Sequence, residues 1–464
     1  MSSTIDGGWT PESFGDPGFR EAHGVRYAYV AGEMAHGIAT TRMVIAMAEA
    51  GMMGFFGAGG LPIAEIRSAI VELGERLAGR SNWGVNLLHS PAAPGHEDAV
   101  VDLVGEFRVP CLSASAFMEL TPAVVRAAVS GLHTDHHGRI ARRTNLFAKV
   151  SRVEPAAMFM SPAPPELLSR LVAEGRITET EARLAARVPL ATDVTVEADS
   201  GGHTDNRPLT VALPQILALR DRLHRSFGYE EPIRVGAGGG LGDPRAIAAA
   251  FACGADYVVT GTINQTAVEA GLSDRAKAML SQAGMTDVVM APSADMFEYG
   301  VKVQVLRRGT MFAGRAGLLY RAYQEHAGLD DLPADVRTRI ERDLFRCDVD
   351  QVWRETAEYW AVRDPEQLAR AEADPKHRMA LVFRSYLGRS TRWAIAGDPD
   401  RNADYQVWCG PAIGSFNRWI ADTELADPAR RSVVAIAHGL LHGAADTVRS
   451  QRRRVLGIPA ATVA

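Results

Sequence analysis

The chain of 464 residues is 47% apolar and 23% charged, a balance typical of a soluble globular protein with room for a barrel of about 250 residues and roughly 150 residues more. A formal net charge of −5 supplies no basic surface for nucleic acid. The sequence has no uncharged apolar run of about 18 residues and no secretory type of N-terminus, so we expect a cytoplasmic protein without a membrane span.

Short apolar segments bounded by Gly, Pro, Asn or Asp alternate with longer helical patterns in the first part of the chain. This alternation is typical of βα units. The eight predicted strands are Tyr27 to Ala31, Met52 to Phe56, Trp83 to Leu88, Cys111 to Ser115, Leu146 to Val150, Val194 to Ala198, Ile233 to Gly236 and Tyr257 to Thr260. They predict an α/β fold, a (β/α)8 barrel of the TIM type, with an open doubly wound sheet as the alternative.

Helical patterns connect these strands, and several begin with proline or a small capping residue. The predicted helices are Thr40 to Ala50, Ile63 to Leu77, Glu97 to Phe107, Pro122 to Val129, Pro214 to His224 and Pro244 to Cys253. The longest interval between strands, residues 151–193, contains two more helical patterns, PPELLSRLVAEG and TETEARLAARV. One βα unit is therefore expected to carry an insertion.

The pattern changes after Thr262. The segment QTAVEAGLSDRAKAMLSQAG is predicted to be a helix, VKVQVL a short strand, and most of residues 318–455 helices. We therefore expect three parts: an N-terminal segment (1–24), the barrel (25–265), and an additional, mainly helical C-terminal region (266–464) that contacts the substrate or a partner.

Glycine-rich loops follow the seventh and eighth predicted strands, where TIM barrels commonly bind phosphate. The first contains Gly238, Gly239 and Gly240 before a helix, and the second contains Gly261 and Thr262. Backbone N–H groups, the helix N-terminus and the threonine hydroxyl can all bind phosphate oxygens. Tight turns without a ligand are the alternative. The dinucleotide pattern G-x-G-x-x-G fails, because positions 241 and 243 are Leu and Asp.

The segment EADSGGHTD follows the sixth predicted strand and contains the catalytic candidate, His203. An imidazole titrates near neutral pH and can transfer a proton. Ser200, Gly201 and Gly202 precede it, and the glycines let the backbone approach a flat cofactor closely. A structural, hydrogen-bonded histidine is the alternative.

Four more polar residues lie at predicted strand ends. Asn86 in GVNLLHSP and Lys149 in FAKVSR are predicted to contact the edge of an isoalloxazine ring. An amide can pair with the ring's donors and acceptors, and a cation stabilises the anionic reduced ring. Buried structural hydrogen bonds are the alternative for both. Glu197 and Asp199 are candidates for carboxylates that orient the imidazole of His203.

Other reactive residues are given no functional role. The segment HTDHHGR (133–139) suggests a metal site, but its glycine and its position between a helix and a strand favour an exposed polar turn, and no metal is expected. The run Arg452 to Arg454 is interpreted as a solvated helix end, although it would attract an acidic carrier protein. The cysteines are Cys111, Cys253, Cys347 and Cys409. Their wide spacing predicts neither a zinc site nor disulfides.

Six long motifs occur across both halves of the chain: EADSGGHTDNRPL, RVGAGGGLGDP, YVVTGTINQ, MAPSADMFEYGVKVQVLRRGT, FRSYLGRSTRW and DYQVWCGPAIGSFNRWI. On these motifs, the chain from about residue 29 to about residue 452 resembles the PfaD family, the trans-acting enoyl reductases of polyunsaturated fatty acid synthases and certain modular polyketide synthases. Its barrel half also resembles, more loosely, nitronate monooxygenases and FMN-dependent enoyl-carrier-protein reductases.

The resemblance implies FMN in the barrel, NADPH as the electron donor, and an enoyl thioester on an acyl carrier protein as substrate. A homodimer is one possible assembly. The matched positions are the GGH histidine (His203), the phosphate-binding residues (Gly239, Gly240, Gly261 and Thr262), the GVNL asparagine (Asn86) and the AKVSR lysine (Lys149). The chain departs from relatives in having GGG where many have AGG, and in a short N-terminus.

Two other functions remain open at this point. One is a nitronate monooxygenase-like flavin oxidase, and the other is a non-catalytic flavin-binding component of a synthase. The GGH motif alone does not separate them, but the helical region and its motifs favour the reductase. We therefore expect an FMN-dependent oxidoreductase of the enoyl-ACP reductase type in polyketide or polyunsaturated fatty acid biosynthesis.

Overall fold

The structure, a computed structural model, describes residues 9–91, 93 and 95–457. Its strands are Tyr29–Ala31 (β1), Met53–Phe56 (β2), Trp83–Leu88 (β3), Cys111–Ser115 (β4), His133–Thr134 (β5), Ile140–Ala141 (β6), Asn145–Val150 (β7), Asp193–Glu197 (β8), Arg234–Gly238 (β9), Tyr257–Thr260 (β10), Val288–Pro292 (β11) and Lys302–Leu306 (β12).

The helices surround these strands or follow them. They are Pro17–His23 (α1), Thr41–Glu49 (α2), Ile63–Arg76 (α3), His96–Glu106 (α4), Pro122–Val129 (α5), Val153–Met160 (α6), Pro165–Ala173 (α7), Glu179–Ala185 (α8), Leu209–Phe227 (α9), Pro244–Ala252 (α10), Asp274–Ser281 (α11), Phe312–Glu325 (α12), Ala334–Arg339 (α13), Val349–Arg363 (α14), Pro365–Ala373 (α15), Pro375–Ala396 (α16), Ala412–Ile420 (α17) and Val433–Val455 (α18). Among these described helices, none is both long and apolar enough to cross a membrane.

Eight parallel strands form a closed barrel in the order β1, β2, β3, β4, β7, β8, β9, β10. The predicted (β/α)8 barrel is confirmed, and the open doubly wound sheet is wrong. The strand ends differ from the prediction by up to two residues. Most residues in these strands are buried, which explains why the segments are apolar runs rather than alternating patterns.

Local capping sets the helix starts, and one predicted start is wrong. Asp243 accepts a hydrogen bond from the Arg245 N–H, with Pro244 as the first residue of α10. By contrast, α9 begins at Leu209 and continues through Pro214, the predicted first residue. Proline is most favoured at the first helical position but is not confined to it, so this proline is a misleading start signal.

The insertion before β8 contains α6, α7 and α8, one helix more than predicted. The histidine-rich segment forms the turn of a small antiparallel hairpin, β5–β6. In this turn, Asp135 accepts hydrogen bonds from the backbone N–H groups of His137 and Arg139. The expected polar turn is therefore found, and its histidines are exposed.

The continuous helix predicted after Thr262 is wrong. A 3-10 turn covers Thr262–Thr266, and α11 begins only at Asp274, because Ser273 caps it by accepting from the Ala276 N–H. The predicted strand VKVQVL is present as β12, and it pairs with β11, which the sequence pattern does not predict. With α12, α14 and α16, these two strands enclose a second core that includes Phe297, Phe312 and Phe383.

The last helix returns to the barrel. α18 lies against α10 and α2, the place of the helix that would follow the eighth barrel strand. Gly443 permits this contact, since a Cβ there would lie 2.6 Å from Pro244 Cγ. The outer ring of the barrel is thus completed by residues that follow the second core in the chain.

Helix α1 closes the end of the barrel where the strands begin. Phe19 stacks on Tyr257 with ring centroids 4.5 Å apart, and its edge contacts Phe147. His23 Nε2 lies 3.1 Å from Asp193 Oδ2, and both side chains are fully buried. The interior of the barrel is therefore filled at this end, and a ligand can enter it from the opposite end.

Candidate functional site

A cavity lies at the end of the barrel where the strands finish, and loops from both regions of the chain line it. The eleven residues that the sequence predicts to be catalytic or cofactor-binding all line this one cavity: Asn86, Lys149, Ser200, Gly201, Gly202, His203, Gly238, Gly239, Gly240, Gly261 and Thr262. Residues that lie far apart in the chain are brought together here because parallel barrel strands end on one face.

The glycine loops after β9 and β10 lie side by side, because Gly238 and Val259 are register partners. Gly239 has φ +88°, and a Cβ there would lie 2.8 Å from the Ala198 carbonyl oxygen. At Gly240 (φ +73°) and Gly261, a Cβ would meet no atom within 4 Å. These two backbones therefore border open space, as an anion cradle requires.

Two hydroxyl groups face the same side of the cavity. Thr262 Oγ1 accepts a hydrogen bond from the Gly410 N–H at 3.2 Å, so its own proton remains to donate. Ser200 Oγ is buried and has no hydrogen-bond partner among the described residues. A buried unsatisfied hydroxyl is costly, so it marks a position where a bound group would supply the missing partner.

Gly201 is required by a close approach of the second region. A Cβ on Gly201 would lie 2.8 Å from the Cys409 nitrogen, and one on Gly410 would lie 2.7 Å from Ser200 Cα. The segments 200–201 and 409–410 thus pack backbone against backbone. Trp408 lines the cavity beside this contact, and its carbonyl oxygen accepts from Gln265 Nε2 at 2.6 Å.

Lys149 is held between two carboxylates at the bottom of the cavity. Its Nζ lies 2.9 Å from Glu197 Oε1 and 3.4 Å from Glu33 Oε1. Burial lowers the pKa of Lys149, but the negative charges of Glu197 and Glu33 raise it more, so the net pKa is raised. The lysine is charged, but these three side chains together carry a net negative charge.

Glu33 uses only one of its two oxygens. Oε1 accepts hydrogen bonds from Ser113 Oγ and Ser115 Oγ at 2.8 Å each, and Asn86 Nδ2 lies 3.5 Å away. Asn86 Nδ2 also donates to Ser115 Oγ at 3.0 Å. In the described part of the chain, no group donates to Glu33 Oε2 or to the amide oxygen of Asn86, and both residues line the cavity.

His203 is oriented by the second region of the chain. Its Nε2 lies 3.1 Å from both Asp295 Oδ1 and Ser293 Oγ, and Ser293 Oγ donates to the same carboxylate in a short contact. Burial lowers the pKa of His203, but the hydrogen bond to Asp295 and its negative charge raise it more, so the net pKa is raised.

The hydrogen bonds from His203 and Ser293 lower the pKa of Asp295 to about 2, although burial opposes them. Both shifts favour the pair of an imidazolium and a carboxylate. With Nε2 used, Nδ1 is the ring nitrogen without a hydrogen-bond partner among the described residues.

The expectation that Glu197 or Asp199 orients His203 is wrong. Glu197 pairs with Lys149 instead, and Asp199 Oδ1 accepts from Gln304 Nε2 and Asn206 Nδ2 at 3.1 Å each. Asp199 thereby joins the barrel to β12, close to where Gly202 and Gln304 form an isolated bridge. It fixes the loop of His203 rather than its imidazole.

Three side chains that shape the site, Glu33, Asp295 and Trp408, are absent from the sequence predictions. Glu33 lies two residues beyond β1, and the general rule for strand exits would have found it. Asp295 follows β11, which is itself not predicted. Trp408 belongs to an aromatic motif in the second region, and nothing in the local pattern indicates that it reaches the barrel.

Comparisons with known proteins find matches for both parts of the chain. The family model described as "Nitronate monooxygenase" matches residues 19–322. A second model, the inserted helical domain of acyl-carrier-protein S-malonyltransferase, matches residues 326–405. The second match covers part of the helical region alone.

The chain is similar to the enoyl reductase domain of MlnA from Bacillus amyloliquefaciens, with a TM-score of 0.91 and 36% identity over 96% of this chain and 99% of that chain. It is 48% identical to a polyunsaturated fatty acid synthase component of Thraustochytrium sp. over 418 residues, 89% of this chain and 28% of that protein. It is 40% identical to the polyketide biosynthesis protein PksE of Bacillus subtilis over 437 residues, 94% of this chain and 57% of that protein.

The chain thus spans less than two thirds of the length of both curated relatives, and nearly all of the solved reductase domain. The solved reductase domain matches both the barrel and the helical region of this chain. The chain belongs to the nitronate monooxygenase family of oxidoreductases, in the group that contains the enoyl reductase domains of polyunsaturated fatty acid and polyketide synthases, the PfaD-type proteins.

Proposed function

We propose that this chain is an FMN-dependent, NADPH-consuming, trans-acting enoyl reductase, which reduces 2-enoyl thioesters carried on an acyl carrier protein. The reaction class is supported by the solved relative that is named an enoyl reductase domain. The setting is supported by relatives that are named for polyunsaturated fatty acid synthesis and polyketide biosynthesis.

The phosphate side of the cavity fits an FMN phosphate. Gly240 and Gly261 border open space, the N-terminus of α10 follows, and Thr262 Oγ1 keeps a proton to donate. Ser200 Oγ is buried without a partner among the described residues, and a ligand oxygen would satisfy it. This set offers neutral donors together with the positive end of a helix, which suits a dianionic phosphate.

The bottom of the cavity fits the ring of the cofactor. Glu33 Oε2 and the amide oxygen of Asn86 are acceptors without protein partners in the described chain, so they suit a ring imide N–H. Lys149 provides a cation next to them. Bound FMN would supply the hydride that NADPH provides and the alkene receives.

His203 would supply the proton. Reduction of a 2-enoyl thioester adds hydride at the β-carbon, and a proton must then reach the α-carbon. Asp295 raises the pKa of His203, which favours its protonated form, and holds Nε2, so Nδ1 is the atom that would give up the proton. The observation that carries the proposal is this charged pair, which lies at the same cavity as the glycine cradle.

The second region would form the wall on which the carrier-bound substrate rests. Trp408 lines the cavity and its ring lies 6.4 Å from that of His203, and Asp295 comes from the loop between β11 and β12. We propose that this helical region contacts the substrate or its carrier protein, since it already supplies side chains to the mouth of the barrel.

The test is anaerobic turnover of the purified protein loaded with FMN. We expect a yellow protein whose NADPH oxidation depends on a crotonyl thioester, and we expect His203→Gln to keep the flavin but lose about 10²-fold or more in kcat. A colourless protein that cannot take up FMN would refute the proposal. In a parallel assay in air, oxygen uptake with a nitroalkane, without thioester-dependent NADPH oxidation, would instead establish nitronate monooxygenase activity.

A further inference from the structure

A second cavity, of about 270 Å³, lies outside the closed end of the barrel, where the strands begin. The hairpin β5–β6, the segment before β8 and the segment before β9 form its walls. We call it the basal cavity and define it by Arg142, Arg187, Phe227, Tyr229 and Glu231. Its volume lies just below the range of about 300–1,000 Å³ that is usual for small-ligand pockets.

Arg142 brings a positive charge to the wall of the basal cavity. Its Nη1 donates to the carbonyl oxygens of Ala128 and Leu190 at 3.2 Å each, and its Nη2 makes a short contact with the Pro189 carbonyl oxygen. These bonds account for three of its five N–H groups. No carboxylate oxygen in the described chain lies within 4.0 Å of its guanidinium, so Arg142 forms no direct ion pair, although the carboxylate of Glu231 lines the same cavity.

The surrounding charges do not neutralise the positive charge of Arg142. Burial lowers the pKa of Arg142 to about 10; the charge of Arg234 lowers it further, and the negative charges of Asp193 and Glu231 oppose the effect without cancelling it. Asp193 itself is engaged by Arg234 and His23. The rim pair Arg187 and Glu230 is mostly exposed with a separation of 3.9 Å, and such pairs are weak. A cation withdrawn from water in this way is stabilised by a bound anion.

An aromatic platform lies on the other side of the basal cavity. The ring of Phe227 stacks on Tyr229, with centroids 5.4 Å apart and planes 21° apart. The Tyr229 hydroxyl donates to the Met160 carbonyl oxygen at 3.0 Å, which fixes that ring in place. Phe227 is nonetheless 47% exposed. An exposed phenylalanine on a fixed ring is suited to stacking against a planar ligand.

We propose that the basal cavity binds a small planar oxyanion, a carboxylate or phosphate carried on a flat ring, with the oxyanion against Arg142 and the ring against Phe227. The proposed ligand would replace the anionic partner that Arg142 lacks and would cover the exposed ring. This site lies at the other end of the barrel from the candidate active site, so it does not depend on the proposed reductase function.

The first test is calorimetric titration of the FMN-loaded protein with four probes. AMP joins its phosphate to a flat ring through a ribose and 2-naphthoate carries its carboxylate on the ring itself, whereas adenosine lacks the oxyanion and inorganic phosphate lacks the ring. We expect AMP or naphthoate to bind more tightly than both single-feature probes. Binding of AMP alone identifies a phosphate site, and binding of naphthoate alone identifies a carboxylate site. Equal binding of adenosine, or no binding by any probe, overturns the proposal.

The second test uses variants of the two groups that define the site. Arg142→Gln removes the charge, and Phe227→Ala removes the exposed ring; each is expected to weaken binding of the better probe by roughly tenfold or more. Arg143→Gln, the exposed next residue, and Val211→Ala, an exposed position on the same helix α9, are the matched controls and should bind normally.

Arg142 also holds three carbonyl oxygens, so its replacement can destabilise the fold as well as the site. Phe227→Ala is at an exposed position and keeps the test decisive in that case. Unchanged affinity in Phe227→Ala, or an equal loss in Val211→Ala, would show that the probes bind elsewhere and would overturn the proposal.

Discussion

The two ends of the barrel each contain a buried carboxylate next to a cation, but they use it differently. At the closed end, both oxygens of Asp193 are occupied, by Arg234, His23 and Thr192. At the open end, all the described donors to Glu33 converge on a single oxygen. A buried carboxylate stabilises the fold when both of its oxygens have partners within the protein. A carboxylate oxygen that lacks a partner at a cavity is left to accept a hydrogen bond from a ligand.

The packing of the barrel interior shows the same difference between the two ends. At the closed end, aromatic rings from α1 fill the space between the strand starts. At the open end, glycines leave the space empty, and a hydroxyl is buried without a partner among the described residues. The comparison teaches that the interior of the barrel is built for packing at one end and for binding at the other, and four substitutions test it.

The largest effect is expected from Asp193→Asn at the closed end. The substitution leaves Arg234 buried without its counter-charge, which should cost about 3–5 kcal/mol of unfolding free energy. Denaturant unfolding measures it, and FMN content per folded molecule should stay normal. Asp221→Asn, in an exposed ion pair with Arg220, is the control and should cost less than about 1 kcal/mol. Equal losses of unfolding free energy in the two variants would contradict the conclusion that the buried carboxylate of Asp193 stabilises the fold.

The same carboxylate predicts a pH dependence of stability. Burial raises the pKa of Asp193, but Arg234 and His23 lower it more, so its folded-state pKa lies below the ordinary value. Its stabilisation is therefore fully present above the unfolded pKa of about 3.9 and is lost as the pH falls from there through the folded-state pKa. The acid sensitivity of unfolding should be weaker in Asp193→Asn than in the parent protein.

The second prediction concerns the glycine cradle. Gly240→Ala places a Cβ in the open space beside the proposed phosphate and imposes a left-handed strain of about 1 kcal/mol, so FMN affinity should fall by roughly tenfold or more. Gly228→Ala has a similar positive φ and equally open surroundings, but it lies at the end of α9. If both variants lose FMN to the same extent, strain rather than the cradle is responsible.

The third prediction concerns the pair at the open end. In Asp295→Asn, the carboxylate no longer offsets the effect of burial on His203, so the pKa of His203 should fall. A reaction that needs the protonated imidazole loses rate as the pH rises through this pKa, so the alkaline limb of kcat/KM should move to lower pH. Asp199→Asn is the control, because Asp199 contacts Gln304 rather than the imidazole. If the alkaline limb moves in Asp199→Asn and not in Asp295→Asn, then Asp199 orients the imidazole, as the sequence predicts.

The smallest effect is expected from Glu33→Gln. Removal of a negative charge beside the ring should make the flavin easier to reduce, and a change of about 1.4 kcal/mol corresponds to about 30 mV for a two-electron couple. Spectroelectrochemistry of the loaded protein measures the midpoint potential. Glu119→Gln, an exposed carboxylate in the loop after β4, should leave it unchanged. A lower potential in Glu33→Gln would contradict the placement of the ring.

The sequence predicts the barrel well because its strands are buried on both faces, and such segments stand out as apolar runs between turn residues. It also places His203 and the glycines at strand ends, which the fold necessarily brings together. Asp295 is different. Its position depends on β11, whose half-buried residues show no clear pattern, and on a pairing with β12 that spans a loop. Such contacts are set by tertiary packing, which local patterns do not reveal.

The start of α9 and the place of α18 show the same limit. The proline signal in α9 is local, whereas the packing of Leu213 and Ile216 against the core holds the helix through it. Nothing in the amphipathic pattern of α18 indicates that it packs on α10 and not on its neighbours in the chain. Periodicity reveals that a face is apolar, and it does not identify the partner of that face.

The position of α18 has a consequence for synthesis of the protein on the ribosome. All eight barrel strands have been translated once Thr260 has emerged, but α10 and α2 stay without their covering helix until Val455 follows. During that interval, the nascent barrel exposes apolar surface that only the last of the described helices can bury.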